Sequence, residues 1–304
     1  MKILILFNGG IRLKILIIGG SSIIGSKMLE LLKEKKIDVE FTYFQNKTNF
    51  KNGHYLDITK KNDVLELMEK INPDVVYHTS ALTSIEKCEL DHGLADEINV
   101  DGVSNLISGC RQINCKIVYV STSFVFNGEK SSYSESDERN PATYYGYTKA
   151  KSESLIQSTD LKYLILRTDA LYGWLELWQR ENSVTRAIST IKSGKILREV
   201  TDWYNTPTYV SDFVNASLLL IEKNKEGIFH VAGSEFINRY DWSLKVIQKF
   251  NLEKNIEKIN SSELNLSAKR VNINLQNDKL YSELGIKMKN ISDGLDSMIK
   301  EITS

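Results

Sequence analysis

Two rhythms of apolar and polar positions alternate along this chain. Lys14 to Ile18 is a continuous apolar run, the pattern of a strand buried on both faces. Behind it, Ile24, Met28 and Leu32 recur at four-residue spacing, which predicts a helix from about Ser22 to Lys35. Val39 to Tyr43 predicts a second strand, and Asp63 to Ile71 a helix stopped by Pro73. The alternation continues with Asp74 to Tyr77 as strand, Leu94 to Arg111 as helix and Lys116 to Val120 as strand. Tyr145 to Ser158 then reads as helix and Tyr163 to Arg167 as strand. This order predicts an α/β fold with a parallel sheet covered on both faces. Ligands in such sheets bind beyond the carboxyl ends of the strands, where Gly19, Thr79, Ser121 and Thr168 all fall.

After Arg167 the rhythm changes. Trp174 to Val200 reads as one long helical stretch and Tyr204 to Thr208 as a loop. Ser211 to Glu222 predicts a helix, and Gly227 to Ala232 a short strand. From Arg239 onward the pattern is mostly helical, with a polar stretch from Asn260 to Asn274. The predicted organisation is a Rossmann-type, doubly wound domain over 13–167, to which 205–235 returns. A smaller, mostly helical C-terminal substrate lobe takes 168–204 and 236–304. Residues 1–12 read as an extension without assigned function, because Lys2 to Leu6 nearly repeats Lys14 to Ile18.

Composition narrows the function. Lys plus Arg and Asp plus Glu number 39 each, so the net charge is zero. That argues against nucleic acid or an anionic membrane as the main partner. Cys88, Cys110 and Cys115 are odd in number and lack metal-ligand spacing, which predicts reduced thiols in a cytoplasmic protein. His54, His78, His92 and His230 are scattered, so no metal site is expected. No apolar run approaches the roughly 18 residues of a membrane span, and Ile3 to Phe7 is too short for a signal-peptide core.

Candidate chemistry sits in three places. The first is the strand-to-helix turn Gly19-Gly20-Ser21-Ser22-Ile23-Ile24-Gly25. Such a turn brings backbone close to a pyrophosphate and aims the next helix's N–H groups at it. Gly19, Ser21, Ser22, Ile23, Ile24 and Gly25 are therefore candidate cofactor contacts; the competing reading is a glycine turn needed only for packing. The second strand ends Thr42-Tyr43-Phe44-Gln45-Asn46-Lys47 without the acid that would hold the ribose of NAD. Lys47 or Lys51 can pair with a 2′-phosphate, which favours NADP and leaves NAD open; both can equally be solvated loop residues. Asp57 and Ile58, after a third strand, are candidates for the adenine pocket.

The last two places make a catalytic set. Tyr145 and Lys149 lie four apart on a predicted helix, hence on one face. A phenol has a free pKa near 10, and a neighbouring ammonium favours its ionised form. Thr122, in the hydroxyl-rich strand end Ser121-Thr122-Ser123, can donate to the same carbonyl oxygen. A Tyr-x-x-x-Lys spacing alone is a common accident; after a dinucleotide turn and a hydroxyl cluster it points to proton and hydride transfer.

These residues resemble those of extended short-chain dehydrogenase/reductases, and most of all the dTDP-4-dehydrorhamnose reductases. The likeness spans roughly Lys14 to Leu284. The family's Ser-Thr-Asp-Tyr-Val-Phe-Asp-Gly is similar to Ser121-Thr122-Ser123-Phe124-Val125-Phe126-Asn127-Gly128, and its Tyr-Gly-x-x-Lys to Tyr145 through Lys149. Thr79-Ser80-Ala81-Leu82-Thr83 resembles its cofactor loop, and Ile98-Asn99-Val100 its Val-Asn helix. Leu166-Arg167-Thr168, Tyr172-Gly173 and Tyr204-Asn205-Thr206-Pro207-Thr208 also fit.

The resemblance implies NADPH-dependent reduction of a 4-keto-6-deoxy sugar carried on a nucleotide diphosphate. It implies that Tyr145 protonates the oxygen, Lys149 holds the nicotinamide ribose and Thr122 orients the carbonyl. Thr79, Ser80, Ala81 and Asn99 would serve the cofactor, Asn99 through a water behind Lys149. Thr83, Ser123, Phe124, Trp174, Asn205, Thr208 and Arg270 are the implied substrate contacts, with Arg270 on the diphosphate and Trp174 equally readable as packing. A homodimer is left open.

Four departures stand out, Val271 in place of a proline after Arg270 among them. Ser22 replaces a glycine of the phosphate turn, and Ser123 and Phe124 replace Asp and Tyr beside Thr122. They leave two alternatives standing: a nucleotide-sugar epimerase or dehydratase, and a non-catalytic regulatory subunit of the same fold.

Overall fold

Seven parallel strands form the central sheet of the computed structural model, which describes residues 5, 6, 12–35 and 39–303. They are β1 Ile15–Ile18, β2 Glu40–Tyr43, β3 Gly53–Tyr55, β4 Val75–His78, β5 Lys116–Thr122, β6 Tyr163–Thr168 and β7 Gly227–His230. Their spatial order is β3-β2-β1-β4-β5-β6-β7. The order reverses between β1 and β4, the switch point at which doubly wound sheets open a crevice.

Side chains of β1 show why both faces are covered. Ile15 and Ile17 join one apolar layer, Leu16 and Ile18 the other. Successive strand residues point to opposite faces, so a run apolar at every position needs helices on both sides. The first layer is closed by α1 (Ile23–Glu34), the second by α2 (Lys61–Ile71), α3 (Gly102–Ile113) and part of α4 (Tyr144–Gln157). Further on, α5 spans Ser183–Lys192, α6 Val210–Glu222, α7 Arg239–Lys249 and α8 Ile291–Thr303. A third apolar cluster, with Tyr172, Val184, Trp242 and Met298, unites α5, α7 and α8 beside the sheet. Leu280 and Met288 pack in the first sheet layer with α6, and Val271, Ile273 and Leu275 pack with Phe124 and Phe126.

Two predicted helices differ. The stretch from Leu94 to Arg111 begins earlier, at His92, and carries a π-turn over Glu97–Asp101. Asn99 lies in that turn and bonds the backbone of Leu82, accepting from its N–H at 2.8 Å and donating to its C=O at 3.1 Å. The long helix from Trp174 to Val200 does not form. A loop precedes α5, and Leu197–Val200 pairs in parallel with Ile256–Ile259. Asn182 caps α5 through a capping box with Thr185, and Gly194 follows its end at φ +75°. Both stop signals stand in the sequence. Near the N-terminus, Ile5–Leu6 pairs antiparallel with Arg12–Leu13; the rest of the expected extension lies outside the described residues.

Candidate functional site

A cleft of about 1150 Å³ opens over the carboxyl ends of the strands. Its floor is the turn after β1. Gly19 sits at φ +92°, and a Cβ there would lie 2.4 Å from Ser80 Oγ, so the turn admits only glycine at this point. Ser22 has φ −72° and ψ 163°, ordinary extended backbone that needs no glycine. Its hydroxyl accepts from Gly25 N at 3.0 Å and meets Thr79 Oγ1 at 2.7 Å, tying β1 to β4 across the switch point. The serine thus caps α1 where a glycine was expected, and leaves the backbone path intact.

Most of the anticipated cofactor residues line this cleft. Gly19, Ser21, Ser22, Ile23 and Ile24 do so from the turn, Asp57 and Ile58 from the end of β3, and Thr79, Ser80 and Ala81 from the end of β4. A positive-φ glycine, a helix N-terminus and close backbone suit a pyrophosphate. Gly25 lies beneath the lining as the donor to Ser22. Lys47 is exposed and outside the lining, which at the end of β2 is Thr42, Tyr43, Phe44, Gln45 and Asn46. Glu40 is turned to His54, 2.6 Å away. The end of β2 therefore presents no side-chain charge of either sign to the cleft. Asn99 is buried and outside it: with two bonds to Leu82 and one to Thr148 Oγ1 at 3.0 Å, it braces the cofactor loop rather than a water at Lys149.

The catalytic set converges. Thr122, Tyr145 and Lys149 all line the cleft, with Thr83 and Phe124 beside them. Phe124 meets the Tyr145 ring edge-on at 6.2 Å. Burial pushes the Tyr145 phenol above its usual range, while the adjoining Thr122 hydroxyl pulls the other way. Lys149 Nζ donates to Val120 O at 2.7 Å and lies 4.1 Å from the centre of the Tyr119 ring. Burial lowers it to about 7, against the raising influence of Glu153 and Cys88. Burial is the largest influence at both groups, raising the phenol and lowering the ammonium. Tyr145 is held as a neutral proton donor.

Several expected substrate residues lie elsewhere. Trp174 donates its indole N–H to Met298 O at 2.8 Å and packs edge-on against Phe250, which is the packing role. Asn205, Thr208 and Ser123 are buried beneath the cleft wall. Arg270 pairs with Glu86 at 2.5 Å, outside the lining, because an acid from the α/β side captures it.

Arg239 faces the cleft instead, with Arg180, Arg186 and Arg198. Its guanidinium lies 4.7 Å from the Trp203 ring and 5.2 Å from that of Trp242. Trp203 Nε1, Arg239 Nε and Thr168 Oγ1 belong to lining residues and are buried without a partner. Buried donors are seldom left so, which marks this end for a polar ligand. Sequence reasoning also missed Asp169, Trp178 and Gln179. Trp178 Nε1 and Gln179 Nε2 both donate to Ser21 O, at 3.1 and 3.0 Å, and so join the loop before α5 to the glycine turn. The long-helix reading of that loop hid them. Among the described residues there is no cluster of potential metal ligands and no helix long and apolar enough to cross a membrane.

Comparison with known proteins shows the family and the fold. The family model for the RmlD substrate binding domain matches residues 13–304. A dTDP-4-dehydrorhamnose reductase from Aggregatibacter actinomycetemcomitans is 32% identical over 211 residues, 67% of this chain and 70% of that protein. The crystal structure of a dTDP-4-dehydrorhamnose reductase from Bacillus anthracis in complex with NADP superposes with a TM-score of 0.86 at 25% identity, covering 96% of this chain and all of that one. The methionine adenosyltransferase 2 subunit beta of Bos taurus is 26% identical over 246 residues, 79% of this chain and 72% of that protein.

Proposed function

We propose, for a chain that belongs to the RmlD substrate binding domain family, that it uses NADPH to reduce a nucleotide-diphosphate-linked 4-keto-6-deoxy sugar. One observation carries this reading: Thr122, Tyr145 and Lys149 line the same cleft as the glycine turn. The likeness to the NADP-bound reductase supports it.

Bound nicotinamide would supply the hydride. The turn from Gly19 to Ile24 and the loop from Thr79 to Ala81 would hold the dinucleotide. Tyr145, kept protonated by burial, gives its proton from Oη to the carbonyl oxygen of the sugar as charge develops there. Thr122 orients that oxygen. Lys149 carries the positive charge that steadies the resulting phenolate. Arg239 presents a planar donor fork to the diphosphate, a role expected for Arg270. The nearby Trp203 and Trp242 rings, 4.7 and 5.2 Å from its guanidinium, help hold the fork in place.

The test is NADPH oxidation with a panel of nucleotide-linked 4-ketosugars. Turnover by the wild-type protein, its loss in Tyr145→Phe and unchanged NADPH affinity in that variant support the reductase. Turnover that survives Tyr145→Phe refutes the assignment of the acid. A second reading follows from the likeness to the methionine adenosyltransferase subunit: a regulatory chain that keeps the fold. Silence across the panel with NADPH still bound favours it.

A further inference from the structure

We propose that Asp169 is a specificity-determining residue that accepts a hydrogen bond from a sugar hydroxyl next to the carbon being reduced; this rests on the reductase reading above. Asp169 follows β6 and lines the cleft, though it is only 4% exposed. Its hydrogen-bonding neighbours in the protein are neutral donors; burial raises this carboxyl, and the nearby Arg239 guanidinium pulls it back toward the charged form. Ser123 Oγ reaches Oδ1 at 3.0 Å, Asn205 Nδ2 reaches Oδ2 at 3.1 Å and Thr206 N reaches Oδ2 at 2.8 Å. Among the described residues it forms no ion pair. A carboxylate offers about four acceptor positions. Three donors leave it with capacity, on a side chain that borders the cleft.

Its place in the sheet shows what it does there. Thr122 of β5 is the register partner of Thr168 of β6. Ser123 and Asp169 are therefore the first residues beyond the ends of adjacent strands, and they meet through the Ser123 hydroxyl at 3.0 Å. Ser123 stands where the resemblance has an acid, and the lost charge reappears on the neighbouring strand. Ser123 is 1% exposed, does not line the cleft and donates to the acid that does. Moving the carboxylate sideways leaves it beside the catalytic Thr122, on the side from which it would meet the C3 hydroxyl, the one hydroxyl that the sugar carries next to C4. Ala170, the next residue, also lines the cleft and is held at φ +38°, a left-handed conformation alanine rarely adopts. Such strain is tolerated where surrounding structure over-determines a functional position.

The experiment uses the full chain loaded with NADP. Calorimetric titration compares a nucleotide-diphosphate-linked 6-deoxyhexose with its counterpart lacking the hydroxyl next to C4. The wild-type protein should prefer the hydroxylated sugar by about 10- to 100-fold, the range for a hydrogen bond to a charged group. Asp169→Asn and Asp169→Ser should reduce that preference to below about threefold, with NADP affinity unchanged as the sign of an intact fold. Preference that survives in both Asp169 variants overturns the inference alone. A wild-type protein that binds NADP but neither sugar overturns the reductase reading and the inference with it.

Discussion

Gly146 stands against the carbonyl of Phe124: a Cβ on residue 146 would lie 2.0 Å from that oxygen. The contact seats α4 on the turn after β5 and so places Tyr145 beside Thr122. A backbone oxygen in a buried turn cannot swing aside as a side chain does. Gly146→Ala must therefore shift α4 and its tyrosine. Misplacement of a catalytic group by about 1 Å costs on the order of 100-fold in rate. We expect kcat to fall by about that factor while the NADPH dissociation constant stays within about twofold. An alanine variant with undiminished kcat would show that α4 has room to move.

The pH dependence follows from Lys149. Burial lowers this group to about 7, so its charged form is present below that pH and lost above it. The charge supports the phenolate, and kcat/KM reports the unliganded enzyme. We expect kcat/KM to decline as pH rises through about 7. Glu153 raises Lys149, so Glu153→Gln should move the decline to lower pH. A profile flat from about pH 6 to about pH 9 is incompatible with Lys149 as the supporting charge.

Glu153 also bears on stability. It is wholly buried, and Arg167, with 1% of its side chain exposed, bonds it at 3.0 and 2.8 Å. Ser121 Oγ and Arg139 Nη1 add bonds at 2.6 and 3.1 Å. Removing one partner of such a pair strands the other, at a cost of about 3–5 kcal/mol. Urea unfolding of Glu153→Ala should show a loss of that order, and the double variant with Arg167→Met less than the sum of the two singles. Strict additivity would mean that the two side chains are not coupled.

Cofactor choice rests on an uncharged end of β2. Since Lys47 is outside the cleft, Lys47→Ala should change the ratio of NADPH to NADH affinity by less than about threefold. Gln45→Asp places a carboxylate on the lining and should favour NADH by about tenfold or more, through repulsion of the 2′-phosphate and bonding to the ribose. Fluorescence titration of both cofactors measures it. A large effect of Lys47→Ala would restore that lysine to the site.

Much of this was legible before any coordinate. Ile24, Met28 and Leu32 at four-residue spacing placed α1, whose caps are Ser22 and Lys35. Tyr145 and Lys149 had to share a face of α4, since helical spacing is set by backbone geometry alone. Where the reading failed, a local signal was outvoted by another. Asn182 and Gly194 bounded α5, but the apolar positions on either side suggested one continuous helix.

The chain itself therefore settled the sheet, the glycine turn and the Tyr–Lys pair, because each is written in residues only a few positions apart. Which arginine lines the cleft was decided elsewhere. Arg270 is captured by Glu86, 184 positions away, whereas Arg239 is held over Trp203 and Trp242 at the cleft. Asp169 became visible only when β5 and β6 were laid side by side. Contacts between distant segments depend on how the layers pack, and no periodicity within either segment records them.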